Sequence, residues 1–135
     1  MPIVSTPPPP PALSKKPVVV VPSGSAPTTL VTKDLIPGTG KAAQVGSTIT
    51  FNYVGVLYKT GAEFDSSWRA GRPLTRPLSA GSLIPGWVQG IAGMKVGGRR
   101  ELIIPPALGY GTAGSPPTIP ANSTLVFVVD LLGVA

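Results

Sequence analysis

The stretch "STITFNYVGVLY", Ser47 to Tyr58, decides the fold. Its residues alternate: Ile49, Phe51 and Tyr53 fall on one side of an extended chain, and Thr48, Thr50 and Asn52 on the other. A period of two, carried by β-branched and aromatic residues, predicts a strand with one face on a core. Three more stretches read the same way. "LVTKDLI" (Leu30–Ile36) runs into the turn signal "PGTG". "RRELII" (Arg99–Ile104) starts polar, ends apolar and stops at Pro105-Pro106. "STLVFVVDLL" (Ser123–Leu132) is a long β-branched run. Strands of this kind need a covered face. Only Gly86–Ile91 favours a helix, with Pro85 suited to a first turn and Gly93 to a stop. The prediction is an α+β domain: several antiparallel strands packed on one helix of about two turns, with Trp87 between helix and sheet.

Ahead of these elements the composition changes. The chain has 135 residues and 18 prolines, and half of those prolines precede residue 28. "TPPPPP" (Thr6–Pro11) favours polyproline II, which makes no internal hydrogen bonds. "VVVV" (Val18–Val21) is fenced by Pro17 and Pro22, leaving little room to pair as a central strand. Residues 1–28 are predicted to be a disordered Pro-rich extension, a spacer or a ligand for a proline-reading module. Residues 29–135 are long enough to form a core of their own.

The residue inventory excludes much chemistry. There is no Cys and no His, so thiol nucleophiles, disulfides, the commonest metal ligand and the usual general base are all missing. Neither a metal nor a cofactor is expected. Eleven Lys+Arg against five Asp+Glu leave a net charge of +6, but the cations are dispersed in runs no longer than two. A nucleic-acid stripe needs clustering, so no nucleic-acid partner is expected, and Lys95, Arg99 and Arg100 are read as coating the outer face of the sheet. Gly40, Gly55, Gly81, Gly93, Gly97 and Gly98 are read as turn and bend devices. No apolar run reaches the roughly 18 residues of a membrane span. The N-terminus lacks the apolar segment of a signal peptide. The compartment stays open between cytoplasmic and exported after loss of a leader.

"LIPGWVQGI" (Leu83–Ile91) seats a tryptophan among apolar residues and glycines. With "FNYVGVLYKTGAEFDSS" (Phe51–Ser67), "LIPGWVQGIAGMKVGGRRELIIPPALGYG" (Leu83–Gly111) and "IPANSTLVFVVDLL" (Ile119–Leu132) it completes a set of motifs in fixed order. Over roughly residues 30–135 the chain resembles the FKBP-type peptidyl-prolyl cis–trans isomerases. The resemblance implies a five- to six-stranded antiparallel sheet wrapped around one short helix. It implies a hydrophobic pocket that takes X–Pro segments of polypeptides and macrolides such as rapamycin, and an isomerase that assists folding. The alternative is a proline-peptide or macrolide-binding chaperone module with little turnover.

Position by position, the resemblance makes Tyr53, Asp65, Trp87, Tyr110 and Phe127 the catalytic set. Phe64, Leu74, Leu83, Ile84 and Ile119 become substrate-binding residues. Trp87 is the floor, with Tyr53, Phe64 and Phe127 as walls. The Ile84 N–H and the Tyr110 hydroxyl hold substrate carbonyls, and Asp65 sits at the rim orienting Tyr53 or a nearby arginine. The loop Gly111–Asn122 is expected to fold over the site. Leu74, Ser115 and Thr118 depart from residues common in the family, as do Arg76 and Pro77. A compact domain of this kind is expected to be a monomer.

Overall fold

The computed structural model describes residues 13–135. Six strands form one antiparallel sheet: β1 (Val31–Ile36), β2 (Thr48–Leu57), β3 (Glu63–Ser66), β4 (Leu74–Pro77), β5 (Arg99–Ile104) and β6 (Leu125–Val134). Their order is β1-β5-β6-β2-β3, and β4 also pairs with β2. The long strands β2 and β6 pair from Ile49–Val134 to Leu57–Leu125 and form the centre of the sheet. Their other edges are taken by β5 and by the short strands. β3 covers Val54–Val56 and β4 covers Thr48–Phe51, so the two share one edge of β2.

Alternation gives the sheet two different faces. The inner face carries Ile49, Phe51, Leu102, Ile104, Leu125, Phe127, Val129 and Leu131, all in the main core. On it lies helix α2 (Pro85–Ile91), with Pro85 in its first turn as predicted. Gly86 and Gly90 are four residues apart and share one side of the helix. A Cβ on Gly86 would lie 2.6 Å from Ile104 Cγ2, and one on Gly90 2.7 Å from Leu102 Cδ2. The helix backbone therefore rests directly on β5. Arg100 faces the same way: its Nη1 donates to the Gly90 carbonyl at 2.9 Å, and its Nε pairs with Asp34 at 2.6 Å. It satisfies a carbonyl at the helix C-terminus, where intrahelical donors run out. Arg100 does not coat the outer face as expected. A second helical turn, α1 (Ser67–Ala70), was not predicted. Four residues are too few for a helical period to show in a sequence.

The outer face is also apolar, with Val54, Val56, Ile103 and Val126 in a second buried cluster. Arg99 does lie on this side, where its Nε and Nη2 donate to the two carboxylate oxygens of Asp130 at 2.7 and 2.9 Å. Asp130 is only 1% exposed. Burial pushes its carboxyl upward against the pull of Arg99.

The predicted extension, residues 1–28, is described from residue 13 on. Residues 1–12 lie outside the described residues. From residue 13 on, the segment packs across the outer face. Val19 and Val21 cover the second cluster, while Val18 and Val20 point away at 88% and 72% exposure. Lys16 pairs with Glu63 at 2.7 Å, and Arg99 donates to the Lys15 carbonyl at 2.9 Å. No strand forms between Pro17 and Pro22, in keeping with the proline fences. The segment is held by side chains because an outer face of valines needs a cover. Among the described residues no helix is long and apolar enough to cross a membrane.

Candidate functional site

On the inner face, between α2 and the edge of β2, lies a cavity of about 170 Å³. Its floor is Trp87, which is 4% exposed and held by the helix. Pro85 sets the first turn, and the Ile84 carbonyl accepts from the Trp87 and Val88 N–H groups at 3.0 and 3.2 Å. Three rings meet the indole edge to face: Phe51 with centroids 5.1 Å apart, Tyr53 at 5.1 Å and Phe127 at 5.2 Å. Such tilted contacts suit the aromatic quadrupole and lock the ring orientations. The indole Nε1 is buried with no acceptor, so Trp87 contributes a ring and no accessible donor.

Phe64 extends the aromatic wall, edge to face with Phe127 at 5.5 Å. Gly55 makes that contact possible. A Cβ there would lie 2.6 Å from Phe127 Cε1 and 2.7 Å from Phe64 Cζ. It lies within β2 without a positive φ, at the point where the β2–β3 register shifts, and its missing side chain leaves space for two rings.

The rim is polar. The Tyr53 hydroxyl donates to Asp65 Oδ2 at 2.6 Å, and the Ser66 N–H donates to Asp65 Oδ1 at 2.9 Å. Burial, the hydrogen bond to Asp65 and its charge together push the Tyr53 phenol well above the usual tyrosine range. Burial, with the charge of Asp65, also raises Tyr110. Both phenols are therefore neutral through physiological pH.

The segment "DSS" positions this pair. Ser66 caps α1, accepting from the Trp68 N–H at 3.0 Å. The Ser67 hydroxyl donates to Asn52 Oδ1 at 2.8 Å and accepts from the Tyr53 N–H at 2.8 Å. The turn that carries Asp65 is thereby clipped to the strand that carries Tyr53. An Asp-Ser-Ser run is a recognisable helix-start signal. The cross-strand role of Ser67 has no local signature.

Tyr53, Phe64, Asp65, Leu74, Leu83, Ile84, Trp87, Tyr110 and Phe127 all line this cavity. Ile119 does not. The Ser115 and Ile119 backbones exchange hydrogen bonds of 2.8 and 2.9 Å, and the Ile119 side chain is buried in the main core at 4% exposure. No residue of the loop Gly111–Asn122 lines the cavity, whereas Tyr110, just before it, does. Three lining residues went unassigned in the sequence: Phe51, Arg76 and Ser82. Phe51 was visible in principle, two residues before Tyr53 on the same strand face.

A family model described as FKBP-type peptidyl-prolyl cis-trans isomerase matches residues 39–132. The chain is 52% identical over 114 residues to an FK506-binding protein of Streptomyces anulatus, covering 84% of this chain and 92% of the relative. It is 50% identical over 111 residues to a probable FK506-binding protein of Corynebacterium glutamicum, covering 82% and 92%. Among solved structures, AtFKBP13 superimposes with a TM-score of 0.73 at 39% identity, covering 82% of this chain and 96% of that one. FkpA from Escherichia coli superimposes with a TM-score of 0.71 at 47% identity, covering 78% of this chain but 47% of FkpA. The family match over residues 39–132 and about half of the aligned residues in common with bacterial relatives agree with the six-stranded antiparallel sheet: the chain belongs to the FKBP-type peptidyl-prolyl cis–trans isomerase family.

Proposed function

We propose that the cavity accelerates rotation about X–Pro bonds by holding the rotated imide in a water-poor aromatic seat. The barrier to amide rotation is ~18–20 kcal/mol, and an X–Pro bond exchanges isomers over roughly tens to hundreds of seconds. The barrier is resonance. A planar amide carries negative charge on oxygen and double-bond character in C–N, and water stabilises that dipole. The rotated state has lost most of both. Moving the bond out of water therefore disfavours the planar state more than the rotated one, which is differential binding of the transition state. No proton moves and no covalent bond forms or breaks, so a site without His or Cys is adequate. A 10⁴-fold acceleration requires only ~5.5 kcal/mol.

In this reading the prolyl ring stacks on the face of Trp87 between Tyr53, Phe64 and Phe127. The Ile84 N–H and the Tyr110 hydroxyl hold substrate carbonyls. Tyr53, its proton committed to Asp65, presents its oxygen and ring edge and no free donor. The observation that carries the reading is the buried indole floor boxed by aromatic rings. At about 170 Å³ the cavity is below the roughly 300–1,000 Å³ of sites that engulf drug-sized ligands. It suits one ring and its imide, and a macrolide would bind with most of its body outside.

A protease-coupled assay on a Leu-Pro peptide tests this. The expected result is acceleration over the uncatalysed rate, blocked by rapamycin, with Trp87→Leu weakening peptide binding by about tenfold or more. Peptide binding without acceleration would leave a proline-binding module and sink the isomerase reading.

A further inference from the structure

Strand β4 puts a cation where the pattern calls for an apolar residue. Leu74 stands opposite Phe51 and Arg76 opposite Ile49. Leu74, Arg76 and Leu78 thus continue one row on the inner side of the sheet, and Leu78 is fully buried. Arg76 is exposed, lines the cavity, and anchors Nη1 on the Thr75 carbonyl at 2.8 Å. Its aliphatic stem extends the wall while its head reaches water. Among the described residues the ion pairs are Lys16–Glu63, Arg69–Glu63, Arg99–Asp130 and Arg100–Asp34, and Arg76 takes part in none. The other charged lining residue, Asp65, accepts from the Tyr53 hydroxyl on one oxygen and from the Ser66 N–H on the other.

We propose that Arg76 is a specificity-determining residue that selects peptides carrying a carboxylate on a residue adjoining the proline. This inference rests on the isomerase reading of the same cavity and names its substrate class. The guanidinium has donors left over after Thr75, in a planar fork that matches a carboxylate. Its charge is felt at the Tyr53 phenol, where it opposes the effect of Asp65, so it acts at the site and not only in bulk solvent. Asp65 repels an incoming anion, but two donors already spread its charge. The β4 side of the cavity is the side that can receive one. A net charge of +6 adds attraction at a distance.

The test compares kcat/KM for peptides that differ only in Glu against Gln, placed before the proline in one pair and after it in a second. The expected result is a preference for Glu of about three- to tenfold at one of the two positions, shrinking as salt is added. In Arg76→Gln the Glu-to-Gln ratio falls to about one, and in Arg76→Lys part of it survives. Each variant serves as its own reference through the ratio. A wild-type ratio near one at both positions overturns the inference, and so does a preference that Arg76→Gln retains, which would assign it to the overall charge. If no peptide is turned over, the isomerase reading fails separately. The same Glu-to-Gln ratio is then read as Kd by calorimetry, where equal affinities, or no binding of either peptide, overturn the role of Arg76.

Discussion

At the scale of single residues, the Tyr53–Asp65 hydrogen bond is the feature whose removal is most informative. Tyr53→Phe and Asp65→Ala each break it without emptying the core, since Asp65 is exposed and Tyr53 keeps its ring. Each is expected to lower kcat/KM about three- to thirtyfold while stability changes by about 1 kcal/mol or less. Because both remove the Tyr53–Asp65 bond, the double variant should be hardly worse than Asp65→Ala, which also removes the acceptor of the Ser66 N–H; additive losses would show two independent roles. Burial first, and Asp65 second, set the pH response of the two phenols. Both phenols are raised, so the folded state holds their protons more tightly than the unfolded chain does. That contribution is fully present below the ordinary tyrosine pKa of ~10 and is lost as the pH rises through the raised values. With no histidine in the chain, kcat/KM should be flat from about pH 6 to about pH 9. A bell-shaped profile in that range would require a titrating group that the site does not contain. The residues were partly legible in the sequence. Strand alternation alone put Tyr53 on the inner face, whereas the tie from Ser67 to Asn52 spans 15 residues and leaves no periodic trace.

At the scale of elements, α2 works because it lies close to the sheet, and its two glycines separate this effect from helix propensity. Ala in place of Gly gains about 1 kcal/mol in a helix interior, while overpacking costs about 1–3 kcal/mol. At Gly86 a methyl would meet three Ile104 side-chain atoms at 2.6–2.8 Å, so no single rotation relieves it. At Gly90 the nearest atom is the end of Leu102, 2.7 Å away, with the next at 3.2 Å. Gly86→Ala is therefore expected to destabilise in urea unfolding, and Gly90→Ala to be near neutral. In an Ile104→Ala background, where all three of those side-chain atoms are gone, Gly86→Ala should cost less than it does in the wild type, and an unchanged cost would mean that the contact is not the cause. The four long strands and α2 were legible because each satisfies its own local period. The short strands β3 and β4 were not, because they exist through pairing to β2, and of α1 only the start signal at Asp65–Ser67 is written locally. That is also why Arg76 could be seen as unusual in the sequence but placed in the cavity only by the register of β4 on β2.

At the scale of the whole molecule, a sheet with an apolar outer face raises the question of what covers it. A run of four valines between prolines reads as featureless when local pairing is the criterion, and its match to Val54, Val56, Ile103 and Val126 is visible only once the sheet exists. The match has a register that can be tested within the intact chain. Val19 and Val21 face the sheet, while Val18 and Val20 face water. The paired substitution Val19→Ser with Val21→Ser gives up apolar burial of about 1–3 kcal/mol, allowing for the partial exposure of both side chains. It should lower the urea midpoint by a corresponding amount and quicken amide exchange along the segment. Val18→Ser with Val20→Ser changes composition equally and should leave the midpoint unmoved. Equal effects from the two pairs would mean that the segment has no fixed seat. Turnover should persist in both, because the valine cover and the tryptophan-floored cavity occupy opposite faces of one sheet, and the core that holds Trp87 closes through Phe51, Leu102 and Phe127 with no described residue of the extension in it.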